Sequence, residues 1–135
     1  NALLTALGKR PSLDLFGTDF PTPDGTAVRD YIHVTDLAAA HVLALQKLDA
    51  APESDFINLG TNRGYSVLEV LGTVEAVTGR KVPYQARPRR QGDVPVLLAS
   101  KEKAERVLGW TLRHRFLVVL AGLAAIGEEC GIPAP

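Results

Sequence analysis

Two short segments of the chain place arginines close to proline or glycine, in arrangements that suit an anionic ligand. The first lies within Asp24–Val34 and contains Arg29 followed two residues later by Tyr31. The second is Arg87–Asp93, which contains three arginines. A guanidinium offers a planar fork of donors that matches phosphate, and an aromatic ring can lie against a sugar or base. The two segments therefore predict binding of a phosphorylated, ring-bearing ligand such as a nucleotide or nucleotide sugar.

The first segment is rich in β-branched and aromatic residues and reads as extended backbone over Val28–Val34. Residues two apart in a strand point to the same face, so Arg29 and Tyr31 share one face and Asp30 takes the other. A phosphate could then rest on the guanidinium while the phenol touches a sugar or base. The alternative is a surface arginine beside a half-buried tyrosine.

The second segment is stiffened by Pro83, Pro88 and Pro95, since proline fixes φ. Gly92 lets the backbone approach a ligand closely, and Asp93 could accept from a ribose hydroxyl or orient an arginine. A stiff loop loses less conformational entropy when it binds an anion. The alternative is a solvated basic loop.

Other polar groups suggest structural roles. His33, Asp36 and His41 match no standard metal-ligand spacing, so they are expected to be structural. The loop Gly60–Gly64 stands where a phosphate loop would stand, between a strand and a capped helix. It matches neither the dinucleotide glycine pattern nor the P-loop pattern, so a tight connection is expected there.

No catalytic set is evident. The sequence contains no Gly-x-Gly-x-x-Gly, and no tyrosine is followed four residues later by lysine. Neither a Ser-His-Asp nor a Cys-His arrangement can be argued from the spacings, and Cys130 lacks a basic neighbourhood that would activate it. The sequence predicts no catalytic, cofactor-binding or metal-binding residue in this chain.

The elements that position the arginines alternate between strands and helices, which predicts one α/β unit. Helix boundaries follow from Asp36 in a first turn, from a capping box formed by Ser66 and Glu69, and from glycine stops at Gly79 and Gly109. We expect strands at 13–16, 28–34, 56–59 and 82–86, and helices at 2–9, 35–48, 66–79, 100–108 and 114–127.

Composition narrows the class of protein. Fifteen basic residues balance fifteen acidic ones, so a broad nucleic-acid-binding surface is not expected. A single cysteine allows no internal disulfide, which fits the cytoplasm. The longest apolar run, Phe116–Gly127, is too short for a membrane helix of about 20 residues. The chain lacks methionine and starts at Asn1, so we expect a piece of a longer protein.

Over residues 5–112 the chain resembles the UDP-glucose 4-epimerases of the extended short-chain dehydrogenase/reductase family. The Arg-Asp-Tyr-Ile-His-Val block and the Pro-Arg-Arg-x-Gly-Asp block together are the most specific signal. The segments that support the resemblance are Phe16–Thr26, Val28–Val34, Asp36–Ala38, Asn58–Gly60, Pro88–Asp93 and Ala104–Trp110.

The resemblance implies that residues 1–135 are the C-terminal, UDP-sugar-binding region of such an enzyme. An N-terminal Rossmann domain, absent from this chain, would bind NAD and supply the catalytic tyrosine and lysine. The implied reaction is the interconversion of UDP-glucose and UDP-galactose in galactose metabolism, by a cytoplasmic homodimer with no nucleic-acid or membrane partner. This chain alone is expected to be inactive.

Roles for individual residues follow from the same resemblance. Arg29 and Arg90 would hold the diphosphate, Phe16 would lie against the uracil, and Tyr31 would contact the nucleotide. Asp93 would hold the ribose or Arg90. Two alternatives stay open: a non-catalytic nucleotide-sugar-binding module, and a related NAD-dependent epimerase or dehydratase that acts on another nucleotide sugar.

Overall fold

The computed structural model describes residues 1–50 and 53–114, and these form the mixed α/β unit that the sequence predicts. Short strands alternate with helices along the chain. The elements are α1 (Ala2–Ala6), β1 (Leu13–Phe16), β2 (Val28–Asp30), α2 (Val34–Ala50), β3 (Gly64–Ser66), α3 (Val67–Thr78), β4 (Tyr84–Arg87), β5 (Val96–Leu97) and α4 (Glu102–Leu108).

The described strands form two small sheets. In one, β1 runs parallel to β4, with Leu13 opposite Tyr84 and Phe16 opposite Arg87. In the other, β2 lies between β3, to which it is antiparallel, and β5, to which it is parallel. The first sheet brings the end of β1 beside the arginine-rich segment, and the second brings Arg29 opposite Leu97.

The extended segment predicted over Val28–Val34 is shorter in the structure, where β2 ends at Asp30 and α2 starts at Val34. His33 explains the early turn into the helix. Its Nδ1 accepts a hydrogen bond from the backbone N–H of Thr35 at 3.1 Å, and its carbonyl oxygen accepts from the N–H of Leu37 at 3.0 Å. The first bond satisfies an amide of the first helical turn, which has no partner within the helix, and the second is the first backbone i→i−4 bond of α2.

The capping box at the start of α3 is confirmed. The Ser66 hydroxyl accepts from the N–H of Glu69 at 3.0 Å, and the Glu69 carboxylate accepts from the N–H of Ser66 at 2.7 Å. Gly79 ends the helix with a φ of 63°. The Ser66 hydroxyl also donates to Asp24, which ties the helix start to the turn before β2.

The prediction of a strand over residues 56–59 is wrong, because the structure has no strand there. A strand needs a hydrogen-bonded neighbour, and no strand of the described residues pairs with this segment. The Phe56 carbonyl oxygen instead accepts from the ammonium of Lys103 at 2.7 Å, and the Phe56 side chain is 92% exposed. The sequence also did not predict the short strands β3 and β5.

The last described helix, α4, starts at Glu102, and the Ser100 hydroxyl accepts from the N–H of Glu102 at 3.2 Å. Gly109 ends it with a φ of 65°, as predicted. Most of the helix predicted at 114–127 lies outside the described residues.

Two small cores hold the fold together. One joins α1 to α3, and the other joins α2 to α4, around Trp110 with 1% exposure. Within residues 1–50 and 53–114, no helix is long and apolar enough to cross a membrane. The buried residues of the two cores are Ala6, Leu71, Val74 and Val82 in the first, and Ala40, Ala104 and Trp110 in the second.

Candidate functional site

Phe16 and Arg90, far apart in the sequence, meet because β1 and β4 pair in parallel. Phe16 is the last residue of β1, and the segment after β4 returns Arg90 above it, with the guanidinium carbon 5.0 Å from the ring centre. Arg90 Nε also donates to Asp93 Oδ2 at 2.9 Å. The Phe16 side chain is 36% exposed, so its ring is accessible beside the arginine.

Arg29 approaches the same aspartate from the other sheet. Its Nη2 lies 3.8 Å from Asp93 Oδ1. Its Nη1 donates to the carbonyl oxygens of Val28 at 2.8 Å and Val94 at 2.9 Å, which fixes the guanidinium. Asp93 therefore lies between two guanidinium groups, and we call Phe16, Arg29, Arg90 and Asp93 the arginine clamp.

The other arginines of the second segment are paired elsewhere. Arg87 Nε contacts Asp14 at 2.7 Å, and Arg89 Nε contacts Asp19 at 2.7 Å. The hydrogen bond from Arg89 is the main cause that lowers the pKa of the Asp19 carboxyl. Each of these two arginines has its own carboxylate, which leaves Arg90 as the arginine of this segment that belongs to the clamp.

Tyr31 lies beyond the end of β2 and is half-buried against the α1–α3 core. Burial raises the pKa of its phenol, and the positive charge of Arg29 opposes this increase. The ring forms part of the wall of a cavity of about 430 Å³. We call this cavity the basic cavity, and it is lined by Tyr31, Thr61, Arg63, Tyr65, Lys101, Leu112 and His114.

Asp30, to which the sequence assigned no role, connects three segments. Its carboxylate accepts from the N–H of Thr61 at 2.9 Å, from the Thr61 hydroxyl at 2.5 Å and from the N–H of Ala99 at 3.3 Å. It also borders a second cavity, of about 400 Å³, together with Arg29, Asn58 and Leu97. Asp30 therefore holds the loop after residue 59 and the chain after β5 around Arg29.

Asp36 has the structural role that the sequence predicts. Its buried carboxylate accepts from the N–H groups of Arg113 at 3.1 Å and His114 at 3.0 Å, and from His114 Nδ1 at 2.9 Å. Burial acts to raise the pKa of Asp36, but the hydrogen bonds from His114 and Arg113 outweigh it and the pKa is lowered. The partner of Asp36 could not be found from local spacing, because His114 lies far away in the sequence.

His33 and His41, which the sequence analysis grouped with Asp36, also make contacts within the fold. The His33 ring stacks on the His114 ring with 4.4 Å between ring centres, and His41 Nδ1 lies 2.8 Å from the carbonyl oxygen of Leu37. Across the described part of the chain, no group of three or more His, Cys, Asp or Glu side chains could hold a metal ion.

Comparisons with known proteins identify relatives of this chain. The profile of the NAD dependent epimerase/dehydratase family matches residues 1–60. A UDP-glucose 4-epimerase of Corynebacterium glutamicum is 53% identical over 112 residues, which are 83% of this chain and 34% of that protein. The chain thus spans about a third of the length of the curated relatives it matches.

Solved structures similar to this chain are also UDP-glucose 4-epimerases. A UDP-glucose-4-epimerase from Stenotrophomonas maltophila with bound NAD and formylated UDP-arabinopyranose has a TM-score of 0.85 and 45% identity, over 96% of this chain and 38% of that one. An epimerase from Bifidobacterium longum in complex with NAD+ and UDP has a TM-score of 0.83 and 37% identity, over 95% and 38%. The chain is therefore homologous to about a third of the length of the UDP-glucose 4-epimerases, and its residues 1–60 match the NAD dependent epimerase/dehydratase family.

Proposed function

We propose that residues 1–135 form the C-terminal, UDP-sugar-binding region of a UDP-glucose 4-epimerase. The observation that supports this most directly is the arginine clamp. Two guanidinium groups converge on one aspartate beside an accessible aromatic ring, although the four residues come from three separate segments. The relatives at about half identity add weight to this assignment.

The clamp suits a nucleoside diphosphate because its parts match the ligand one by one. Arg29, fixed by two carbonyl oxygens, can receive a phosphate without reorganising. Arg90 has a side chain that is 62% exposed and can turn from the Phe16 ring toward a second phosphate. The uncovered ring would then accept the uracil, and Asp93 would accept from a ribose hydroxyl or keep Arg90 in place.

Tyr31 belongs to the same proposal as a contact for the nucleotide part of the ligand. Its ring lines the basic cavity, and the positive charge of Arg29, two residues earlier in the chain, acts to lower the pKa of its phenol. These contacts are all made to the part of the substrate that does not react. Binding energy from such a part can orient the reacting sugar and so support catalysis at a distance.

NAD binding is proposed for the longer protein and not for these residues. The sequence has no Gly-x-Gly-x-x-Gly turn to cradle a pyrophosphate and no Tyr-x-x-x-Lys pair to move a proton. The residues of this chain therefore do not fit NAD, and no step of the reaction is assigned to them. We propose that an N-terminal Rossmann domain supplies both features.

Calorimetric titration of the full chain with UDP tests the clamp. Arg90→Ala should weaken UDP binding by about 1.5–3 kcal/mol, the range for a hydrogen bond to a charged group. Arg29→Ala should weaken it at least as much, because Arg29 is already held in place. Arg87→Ala is the matched control, since Arg87 pairs with Asp14 outside the clamp. Equal losses in Arg87→Ala and Arg90→Ala would overturn the assignment.

The proposal extends to the longer protein as a cytoplasmic homodimer that interconverts UDP-glucose and UDP-galactose. The support for this extension is that the similar proteins from Lacticaseibacillus casei and Bacillus subtilis are UDP-glucose 4-epimerases. Light scattering on the longer protein would test the dimer, and a purified 1–135 chain should show no epimerisation. Turnover by the isolated chain would contradict the assignment of catalysis to other residues.

A further inference from the structure

The basic cavity has a lining that the clamp does not explain. Its cationic groups are Arg63 and Lys101, with His114 as a third nitrogen-bearing side chain. Among the described residues that line it, none is an aspartate or a glutamate. Phenols from Tyr31 and Tyr65 and the hydroxyl of Thr61 complete the wall, so most of it is polar. A cavity of this kind favours a ligand that is both anionic and rich in hydroxyl groups.

Arg63 is the cation best placed for such a ligand. Its guanidinium lies over the Tyr65 ring, 4.8 Å from the centre, which supports the side chain on one side. Among the residues that the structure describes, no carboxylate pairs with Arg63. An exposed guanidinium that is oriented by a ring but not neutralised by a carboxylate keeps its donors for an anion.

Two hydrogen bonds hold the loop that contains Arg63. The Thr61 hydroxyl, which donates to Asp30, accepts from the N–H of Arg63 at 3.2 Å, and Asn62 Oδ1 accepts from the N–H of Lys101 at 3.1 Å. Asn62 has a φ of 58° and is the one non-glycine residue with positive φ in the described part of the chain. Strained backbone of this kind is found at ligand sites more often than elsewhere. The loop is therefore tied to the backbone of Lys101 at the edge of the basic cavity.

The nearby carboxylates of Asp36 and Asp30 do not neutralise the cationic groups of the basic cavity, because their oxygens already accept hydrogen bonds from other residues. Asp36 accepts from Arg113 and His114, and Asp30 accepts from Thr61 and Ala99. Since the ionised Asp36 only accepts, His114 Nδ1 carries a proton that it donates to Asp36. The opposite nitrogen, Nε2, is then left to hydrogen-bond with a hydroxyl group of a ligand in the cavity. Glu105 does share the charge of Lys101, at 2.5 Å, which leaves Arg63 as the main anion contact.

From this geometry we infer that the basic cavity is a second binding site, separate from the clamp, for a small sugar phosphate or similar polyhydroxylated phosphate ester. The phosphate contacts Arg63 and Lys101. The hydroxyl groups bond with the phenols and with His114 Nε2, and the rings of Tyr31 and Tyr65 pack against the carbon skeleton. The loop Gly60–Gly64, which the sequence predicts to be only a connection, gains a ligand-binding role.

The test is calorimetry on the full chain with glucose 1-phosphate as the probe. Wild type should bind it, and Arg63→Ala should weaken binding about tenfold or more. Arg63→Lys, which keeps the charge but not the planar fork, should give an intermediate affinity. Arg106→Ala removes an exposed cation of α4 outside the cavity and should leave the affinity unchanged.

Two further measurements separate this site from the clamp and from a bare phosphate site. Arg90→Ala should bind glucose 1-phosphate as wild type does, even if UDP binding fails, so the proposal stands apart from the proposed function. Inorganic phosphate should bind at least tenfold more weakly than the sugar phosphate. The inference is overturned by the absence of saturable binding in wild type, by equal affinity in Arg63→Ala, by loss of binding in Arg90→Ala, or by equal affinity for inorganic phosphate.

Discussion

Replacing Asp36 with asparagine tests the hydrogen-bond network that joins α2 to the end of the described chain. The carboxylate accepts two backbone N–H groups on Oδ2 and the His114 ring on Oδ1. In Asp36→Asn the amide oxygen can keep both backbone bonds, and the amide N–H₂ can face the ring. His114 can then move its proton to Nε2 and accept at Nδ1.

The substitution therefore removes charge assistance but not the bonds themselves. Charge-assisted bonds are worth about 1.5–3 kcal/mol and neutral ones about 0.5–1.5, so the free energy of unfolding should fall by about 1–2 kcal/mol near neutral pH. Asp36→Ala removes all three acceptor contacts and should lower it by about 3 kcal/mol, since the freed N–H groups are partly exposed to water.

The dependence on pH is the sharper part of the prediction. The pKa of Asp36 is lowered below its ordinary 3.8, so its contribution to stability is complete above that value and is lost as pH falls through the folded pKa. The difference between wild type and Asp36→Asn should therefore be largest near neutral pH and shrink below about pH 4.

Urea unfolding followed by the fluorescence of the only tryptophan, Trp110, measures these differences. Trp110 is buried and donates to the backbone oxygen of Asp36, so its emission reports on the region directly. Asp49→Asn, an exposed change on the same helix, is the control and should stay within about 0.5 kcal/mol of wild type. A difference between wild type and Asp36→Asn that is the same at pH 7 and pH 3 would refute the reasoning.

Three further substitutions should change the free energy of unfolding in directions set by the local geometry. Gly60→Ala should destabilise by about 1–3 kcal/mol, because the new methyl group would overlap the carbonyl oxygen of Ala99, and a melting temperature equal to wild type would contradict this. Gly72→Ala should stabilise by about 0.5–1 kcal/mol, since a methyl group there meets nothing within 4 Å in a helix, and a loss of stability in the same assay would count against it. Ser66→Ala should cost about 1–2 kcal/mol through the lost cap of α3, whereas Ser54→Ala, on an exposed residue, should have no measurable effect in urea unfolding.

Local signals in the sequence predicted those parts of the fold that depend on local interactions. The capping box at Ser66 and the glycine stops at Gly79 and Gly109 are confirmed because their hydrogen bonds join residues close in the chain. The strand at 13–16 is confirmed as well, since its apolar pattern is local. The approach of Phe16, Arg29, Arg90 and Asp93 agrees with expectations drawn from resemblance, although their roles as ligand contacts stay a prediction.

Local sequence patterns could not predict the interactions between residues that are far apart in the chain. The strand predicted at 56–59 failed because an apolar run does not reveal whether a neighbouring strand exists. The bonds of Asp36 to His114 and of Asp30 to Ala99 join parts of the chain that no periodicity links. The position of Tyr31 also depended on where β2 ends, and His33 sets that point by its hydrogen bonds rather than by strand propensity.

The parallel pairing of β1 with β4 has a consequence for the order in which the molecule folds. Phe16 and Arg90 come together only when the chain between them, which contains α2 and α3, closes into a loop. Contacts with such wide sequence separation form slowly, because the entropy of loop closure is lost before any contact compensates for it. We therefore expect the clamp to form late in folding, so that recovery of UDP affinity during refolding lags behind the formation of α2 and α3.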